Sequence, residues 1–179
     1  MPSDATPFLR HLKQCNTAVV PGARFAFTLG GAQAGWIDPS IADRLEQEGL
    51  GIRTTGFTLT DPTKLEALGE TLATEGYYRS HHEPFDVMAA LGQPVVARID
   101  RGALPLFGLV AIGVHMNGLV RKADDLYLWT GRRARNKRLD PGQLDHLVAG
   151  GVPAGNSPPE ALIKDAGEEA SITTDLVNT

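Results

Sequence analysis

Cysteine and long apolar runs are scarce in this chain of 179 residues. The single cysteine, Cys15, excludes an internal disulfide and a cysteine cluster for zinc. The longest apolar run, residues 103–114, contains Pro105 and two glycines. It falls well short of the roughly 20 residues that a membrane-spanning helix needs. We therefore predict a protein without disulfides and without a membrane partner.

An excess of positive charge is also absent. The formal net charge is -4 at pH 7, which argues against a nucleic-acid partner. Residues 1–6 lack the basic region followed by an apolar region that marks a signal peptide. With 42% hydrophobic residues, the chain is long enough for one ordinary core or two small ones. We expect a soluble, cytoplasmic, globular protein.

A helix is predicted to begin directly after a glycine-rich loop, near residue 157. Ser157 is a good N-cap, and Pro158 suits the first helical position. Glu160, three residues after the serine, completes a capping box. We therefore predict that Glu160 caps the helix and is not a ligand.

The same predicted helix carries Asp165, Glu168 and Glu169 at positions i, i+3 and i+4, which places them on one face. Like charges at this spacing cost roughly 0.2–0.5 kcal/mol per pair on an isolated helix. A cation such as Mg²⁺ would offset the repulsion, since it binds through one or two carboxylates, waters and substrate phosphates. A solvated acidic helix end is the alternative, and the spacing alone leaves both open.

The most basic stretch of the chain is residues 131–138. It is either a solvated turn or a surface for the diphosphate of a substrate, to which arginine gives bidentate contacts and lysine a point charge. The second interpretation assigns substrate binding to Arg132, Arg133 and Lys137. No aromatic residues are interleaved for base stacking, so a nucleic-acid patch is the weakest interpretation.

Residues 150–172 resemble the Nudix box, Gly-x5-Glu-x7-Arg-Glu-U-x-Glu-Glu-x-Gly-U, where U is aliphatic. The matching positions are Gly150, Glu168, Glu169 and Ile172. The departing positions are Asn156 for the first glutamate, Lys164 for the arginine, Asp165 for the glutamate beside it and Ser171 for the late glycine. The family resemblance therefore rests on the glycine and on the paired glutamates.

Three upstream stretches, residues 113–118, 128–133 and 144–151, resemble the Nudix branch related to the domain fused to thiamine pyrophosphokinase in fungi. The N-terminal portion is similar to the small domain of unknown function that precedes the Nudix fold in those proteins. The resemblance implies an N-terminal domain at 1–107. It implies the first part of a Nudix domain at 108–179. We expect the boundary at residues 101–107, because a glycine and a proline interrupt the pattern just before a new strand.

In function, the resemblance implies a pyrophosphohydrolase that uses Mg²⁺ or Mn²⁺. Its small-molecule substrate would be a nucleoside diphosphate linked to another moiety, or thiamine diphosphate and its oxidised analogues. Carried over by position, Glu168 and Glu169 would be catalytic metal ligands, with Asp165 in place of the third. Gly150 and Gly151 would contact the substrate. Because aspartate is shorter by one methylene, about 1.5 Å, we expect Asp165 to bind the metal through water or to give a weak site.

The predicted fold class is α+β or α/β. A small N-terminal α/β domain is followed by the first part of a Nudix α/β/α sandwich with a mixed sheet. We expect this sandwich to be incomplete at the C-terminus, because the sequence stops soon after the first Nudix helix. A sheet cut there would expose an edge and an apolar face. A homodimer or a missing C-terminal half would then complete the sheet.

Local patterns predict the individual elements. The N-terminal part should contain a hairpin at 24–37, helices at 7–15, 38–45, 62–74 and 84–91, and strands at 52–59 and 95–99. Phe8, Leu9, Leu12 and Cys15 should pack from the first helix. Asp38 should cap the helix at 38–45, and Ile41, Ala42 and Leu45 should form its buried face. Beyond the boundary we predict a long buried strand at 109–120, bent near Asn117, with a partner at 126–130.

A protein of a different class is the alternative to an enzyme. It would be a Nudix-like binding or regulatory module that keeps the loop and helix but has lost catalysis. Asn156, Asp165 and the absence of the later strands favour this alternative.

Overall fold

The computed structural model describes residues 4, 6–16, 19–137 and 139–177. These residues form six α-helices: α1 Thr6–Cys15, α2 Pro39–Gln47, α3 Leu65–Thr74, α4 Leu104–Phe107, α5 Pro158–Ala170 and α6 Thr174–Val177. They form twelve strands: β1 Phe25–Leu29, β2 Ala32–Ile37, β3 Gly51–Arg53, β4 Phe57–Leu59, β5 Pro84–Met88, β6 Val95–Asp100, β7 Gly113–Met116, β8 Gly118–Lys122, β9 Asp125–Trp129, β10 Gly131–Arg132, β11 Leu144–Asp145 and β12 Val148–Gly151. No helix in these ranges is long and apolar enough to cross a membrane.

A four-stranded mixed sheet organises the N-terminal part, in the order β2-β1-β4-β3. β1 pairs antiparallel with β2, which confirms the predicted hairpin, and parallel with β4. The ring centroid of Phe27 lies 6.4 Å from that of Phe57 and 5.2 Å from that of Phe107. All three side chains are buried. Burial of each contributes about 1.5–3 kcal/mol to the stability of the fold. Helices and a mixed sheet together confirm the predicted α+β class.

Helix α2 begins where the sequence predicts. The carboxylate of Asp38 accepts a hydrogen bond from the backbone N–H of Ser40 at 3.0 Å, which caps the helix. Ile41, Ala42 and Leu45 are its buried residues. The predicted apolar face of this helix is therefore confirmed.

The largest cluster of buried apolar side chains draws on residues 27–107 alone. The antiparallel hairpin of β5 and β6 supplies Phe85, Val87 and Ile99 to it, and α3 packs on β6. The segment 101–107, expected to mark a boundary, forms a 3-10 turn and α4 and belongs to this core. The division of the chain into two domains stays a prediction.

The predicted helix over residues 84–91 is wrong, because Pro84–Met88 forms strand β5. Phe85 and Val87 are buried while the residues between and beside them are not. This period of two is that of a half-buried strand.

The predicted single strand over residues 52–59 is also wrong. β3 and β4 are the two arms of an antiparallel hairpin. In its turn the backbone N–H of Thr54 donates to the carbonyl oxygen of Gly56 at 2.8 Å. A Cβ at Gly56 would lie 2.7 Å from the carbonyl oxygen of Ala26, so glycine lets this turn approach β1.

Strands β7 and β12 pair antiparallel and carry α5 on one side. The strand predicted over 109–120 corresponds to β7 and β8, which separate at Asn117, where the bend was predicted. β8 pairs with β9, the predicted partner. The burial predicted for 109–120 is wrong, because none of these residues is buried and Leu119 is 58% exposed. On the partner strand, Leu126, Leu128 and Trp129 are also more than half exposed.

Helix α1 forms as predicted, but its apolar side chains do not pack. Phe8 is 68% exposed, Leu9 48% and Leu12 64%. The predicted packing role of this helix is therefore wrong for these three residues. The side chain of Cys15 and the whole of Arg138 lie outside the part of the chain that the structure describes.

The carboxylate of Asp100, the last residue of β6, binds backbone N–H groups before β5 and after β6. It accepts hydrogen bonds from four groups: the backbone N–H groups of His81 at 3.1 Å, Glu83 at 3.2 Å and Gly102 at 2.8 Å, and the Ser80 hydroxyl at 3.2 Å. Burial alone would raise the pKa of Asp100, but these donors outweigh it and hold the pKa below its ordinary value.

We expect Asp100→Asn to lower the free energy of unfolding by about 1–3 kcal/mol at pH 7, because part-buried N–H donors lose a charged acceptor. Since folding lowers this pKa, the carboxylate stabilises the fold above its unfolded pKa of about 4. That contribution is lost as the pH falls through the folded-state pKa. Denaturant titrations should therefore show the difference from wild type shrinking between pH 7 and pH 3.

Asp124→Asn is the matched control. Asp124 is exposed at the tip of the β8–β9 hairpin and accepts no hydrogen bond within the described ranges. Its effect should be small at both pH values. A destabilisation by Asp100→Asn that stays constant with pH would contradict this account.

Candidate active site on helix α5

Helix α5 starts with the predicted capping box. The hydroxyl of Ser157 accepts from the backbone N–H of Glu160 at 3.4 Å, and the Glu160 carboxylate accepts from the backbone N–H of Ser157 at 2.8 Å. This N–H donor lowers the pKa of Glu160. Glu160 is thus occupied as a cap, as the sequence predicts.

The helix ends at Ser171, which adopts the left-handed conformation with φ 54°. The backbone N–H of Ile172 then turns back to the carbonyl oxygen of Ala166 at 3.0 Å. Left-handed C-terminal positions favour glycine, because a Cβ is strained there. The late glycine of the Nudix box falls at this position, so its replacement by serine keeps the turn at some cost in backbone strain.

Asp165 points from α5 against strand β12. A Cβ built on Gly150 would lie 1.8 Å from Asp165 Oδ2, so only glycine leaves room for the carboxylate. That oxygen is buried and has no hydrogen-bond partner among the described residues. Burial raises the pKa of Asp165, and the nearby charge of Glu169 raises it further, against a smaller opposing effect of Lys164.

Glu169 lies one turn further along and also reaches β12. Its Oε2 accepts a hydrogen bond from the backbone N–H of Ala149 at 3.2 Å. Glu168 is exposed, and its side chain makes no hydrogen bond within the part of the chain that the structure covers. The structure therefore directs Asp165 and Glu169 toward the strand and leaves Glu168 facing solvent.

The three carboxylates do not form a ready ligand set. Across residues 4, 6–16, 19–137 and 139–177, no three His, Cys, Asp or Glu side chains converge as one metal site. The donor chemistry nevertheless fits a hard cation, because an unsatisfied, buried carboxylate oxygen of Asp165 lies near the charge of Glu169. Mg²⁺ characteristically takes one or two protein carboxylates and keeps several waters. The residues present fit that kind of coordination better than a three-carboxylate cage.

The loop before α5 is held by the N-terminal part of the chain. The backbone N–H of Ala154 donates to the carbonyl oxygen of Pro84 at 2.8 Å, and that of Gly155 donates to Asp86 Oδ2 at 2.9 Å. A Cβ on Gly151 would lie 2.4 Å from Cζ of Phe85. Strand β5 thus fixes the path of the glycine-rich loop.

Packing therefore explains both glycines that were predicted to contact the substrate. Gly150 makes room for a carboxylate on α5, and Gly151 makes room for an aromatic ring on β5. Both residues also line a cleft of about 280 Å³ with His115. Their contact with a substrate stays a prediction.

A second cleft, of about 370 Å³, is called the basic cleft below. Its charged lining residues are Arg101, Arg132, Arg133, Lys137, Asp145 and Glu169. The structure thus brings all three predicted substrate-binding cations to the same cleft as Glu169. Asp165 and the two glycines do not line it.

The cations of the basic cleft differ in how far they are neutralised. Arg133 donates to Asp145 Oδ2 at 2.5 Å, and this contact lowers the pKa of Asp145. Among the described residues, the Arg132 side chain donates only to the carbonyl oxygen of Gly142, at 2.7 Å. Arg132 therefore has no carboxylate partner in this part of the chain.

Sequence reasoning missed three residues near this site. Arg101 fell in the segment expected to be a boundary, and nothing local in the sequence indicates that it reaches a cleft. His115 and His146 have ring centroids 4.3 Å apart, because the pairing of His115 with Ala149 brings β7 beside the end of the preceding loop. Only the strand register could have revealed this contact.

Comparison with known proteins supports the Nudix resemblance. Over 92 residues the chain is 44% identical to "Nudix hydrolase 20, chloroplastic" of Arabidopsis thaliana, covering 51% of this chain and 25% of that protein. Over 97 residues it is 41% identical to "Nudix hydrolase 24, chloroplastic" of the same plant, covering 54% of this chain and 27% of that protein. About half of the chain is similar to Nudix hydrolases.

The similarity to known proteins covers only part of this chain and a smaller part of each relative. An uncharacterised protein of Saccharomyces cerevisiae is 28% identical over 81 residues, which is 44% of this chain and 24% of the yeast protein. No family model matches the chain. The chain spans about a quarter of the length of the curated relatives that it matches.

We expect Gly150→Ala to lower the free energy of unfolding by about 1–3 kcal/mol, because the new methyl group overlaps the Asp165 carboxylate. The same change should cost clearly less in an Asp165→Ala background, where the overlapping atoms are gone. A double-mutant cycle from denaturant titrations measures this coupling. Additive effects of the two substitutions would mean that Asp165 does not pack against Gly150.

Proposed function

We propose that this chain forms part of a divalent-metal-dependent hydrolase that cleaves diphosphate linkages. The similarity of about half the chain to two named Nudix hydrolases carries the proposal. The geometry beside it is consistent, since Glu169 of the Nudix-like helix lines a cleft with Arg132, Arg133 and Lys137. Water would attack one phosphorus, and the bond from that phosphorus to the bridging oxygen would break.

In this proposal, acidic residues of α5 bind the cation and basic residues bind the diphosphate. Asp165 and Glu169 would hold Mg²⁺ or Mn²⁺, with Glu168 available from the solvent side. The cation, when bound, neutralises charge that develops on the diphosphate. Arg132 and Lys137, which line the same cleft as Glu169, would bind the phosphate oxygens. Because Asp165 Oδ2 is buried against Gly150, its contact with the cation would need a small movement of α5 or a bridging water.

The substrate class follows from the sequence resemblance to the thiamine pyrophosphokinase branch. We propose a small-molecule diphosphate, either thiamine diphosphate and its oxidised forms or a nucleoside diphosphate linked to another group. The cations of the basic cleft would bind the diphosphate of any of these compounds. Selectivity among these compounds would depend on contacts with the part of the substrate outside the diphosphate.

One observation favours a second candidate, a Nudix-like binding module without turnover. No three potential metal ligands converge in the described ranges, and one oxygen of the shorter side chain at Asp165 is buried. Misplacing a reacting group by about 1 Å can cost on the order of 100-fold in rate. A module of this kind would bind a diphosphate with Mg²⁺ but not hydrolyse it.

We expect Glu169→Gln to reduce Mg²⁺-dependent release of phosphate or monophosphate by at least about 100-fold, because one carboxylate of the cation site is lost. The assay uses thiamine diphosphate and nucleoside diphosphate sugars as a panel. Glu160→Gln is the matched control on the same helix, since glutamine also completes a capping box. Its turnover should equal that of wild type.

The two candidates give different results in this assay. Turnover that disappears in Glu169→Gln supports the hydrolase. Unaltered turnover in Glu169→Gln rejects the metal role of that residue. Wild-type binding of the panel with Mg²⁺ but without turnover supports the binding module.

A further inference from the structure

We infer that Arg101 is an anion-binding residue of the basic cleft, so that a phosphate group is held by side chains from both halves of the chain. The inference rests on the proposed function only in naming a diphosphate as the ligand. It gives the N-terminal part a direct role in binding, which no sequence motif assigns to it.

Arg101 is held in place before any ligand arrives. Its backbone N–H donates to the carbonyl oxygen of Glu83 at 2.9 Å, and its Nη1 donates to Glu83 Oε2 at 3.0 Å. The guanidinium carbon lies 5.8 Å from the ring centroid of Phe85. An arginine fixed at its backbone and beside a ring loses little side-chain freedom when it binds an anion.

The same contacts bring Arg101 to the edge of the Nudix-like part. The ring of Phe85 occupies the space that a side chain at Gly151 would need. Arg101 therefore lies next to the end of β12 and lines both clefts, the one that contains Gly150 and the one that contains Glu169. A phosphate in the basic cleft would enter a cleft that Arg101, Arg132 and Lys137 all line.

Charge and hydrogen-bonding capacity favour an anionic ligand. Arginine carries five N–H donors in a planar fork that suits phosphate oxygens. Glu83 takes one of these donors, and the rest have no acceptor among the described residues. The side chain of Arg101 is 47% exposed, so its free donors are open to the cleft. An incoming phosphate would compete with the Glu83 carboxylate for the guanidinium.

A purely structural ion pair is the competing explanation. In that case Arg101 and Glu83 would serve only each other, and removing either would have the same consequence. In our account the two residues act in opposite directions, because Arg101 attracts the anion and Glu83 competes with it. This opposition separates the two explanations.

The test measures the affinity of the whole protein for inorganic pyrophosphate in the presence of Mg²⁺ by titration calorimetry. We expect Arg101→Gln to weaken binding by about tenfold, the effect of losing one charge-assisted contact. Arg101→Lys should recover only part of the loss, because lysine presents a point charge without the fork. Glu83→Gln should leave the affinity unchanged or raise it by up to several-fold. Arg79→Gln, at an exposed arginine that does not line the basic cleft, is the control and should match wild type.

Thermal unfolding of each variant confirms that it folds. Loss of affinity in Arg101→Gln but not in Glu83→Gln supports the inference. Equal losses in both variants, an Arg101→Gln affinity equal to that of Arg79→Gln, or no binding of pyrophosphate by wild type would overturn it. Hydrolysis is measured separately: Arg101-dependent binding without any turnover would reject the hydrolase and keep the inference. Turnover with an unchanged KM in Arg101→Gln would support the hydrolase and reject the inference about Arg101.

Discussion

The close approach of helix α5 to strand β12 depends on the missing side chain at Gly150. Any Cβ there would overlap the carboxylate of Asp165, which is seated against the strand with one oxygen buried. Small buried side chains at Ala161 and Ala166 let the helix come this near. The directions of the three acids predicted as ligands follow from that contact. Asp165 points inward, Glu169 reaches the edge of the strand and Glu168 remains in solvent.

A second constraint is that the glycine-rich loop before α5 is held by contacts with another strand. Its path is fixed by hydrogen bonds to β5 at Pro84 and Asp86, and by the ring of Phe85 against Gly151. The strand that holds the loop belongs to the N-terminal part. The two parts of the chain therefore share the site physically, because the first positions the loop of the second and carries Arg101 to its cleft.

The sequence predicted those features that depend on neighbours in the chain. The capping box of Ser157 and Glu160 and the buried face of α2 are decided within a few residues, and both are confirmed. The alternation of Phe85 and Val87 was present in the sequence, but a short apolar segment fits a helix nearly as well. Tertiary packing against β6 decided the outcome for that segment.

The candidate site was predictable only in part, for a related reason. The resemblance to the Nudix box placed acids on one helix and a glycine before it. It could not show that Asp165 fills the space at Gly150, since that contact joins two elements through the strand register. The exposure of Leu119 in β8 depends in the same way on what packs against the strand. The apolar composition of residues 109–120 alone predicted burial.

The most direct test of this account is the binding of Mn²⁺ to the protein, followed by the loss of the free-ion signal in electron paramagnetic resonance. We propose that Asp165 and Glu169 together hold a divalent cation at the junction of α5 and β12. We predict measurable Mn²⁺ binding by wild type, weakened by more than about tenfold in the folded double variant Asp165→Asn/Glu169→Gln. Equal Mn²⁺ affinity in the two proteins would contradict the claim.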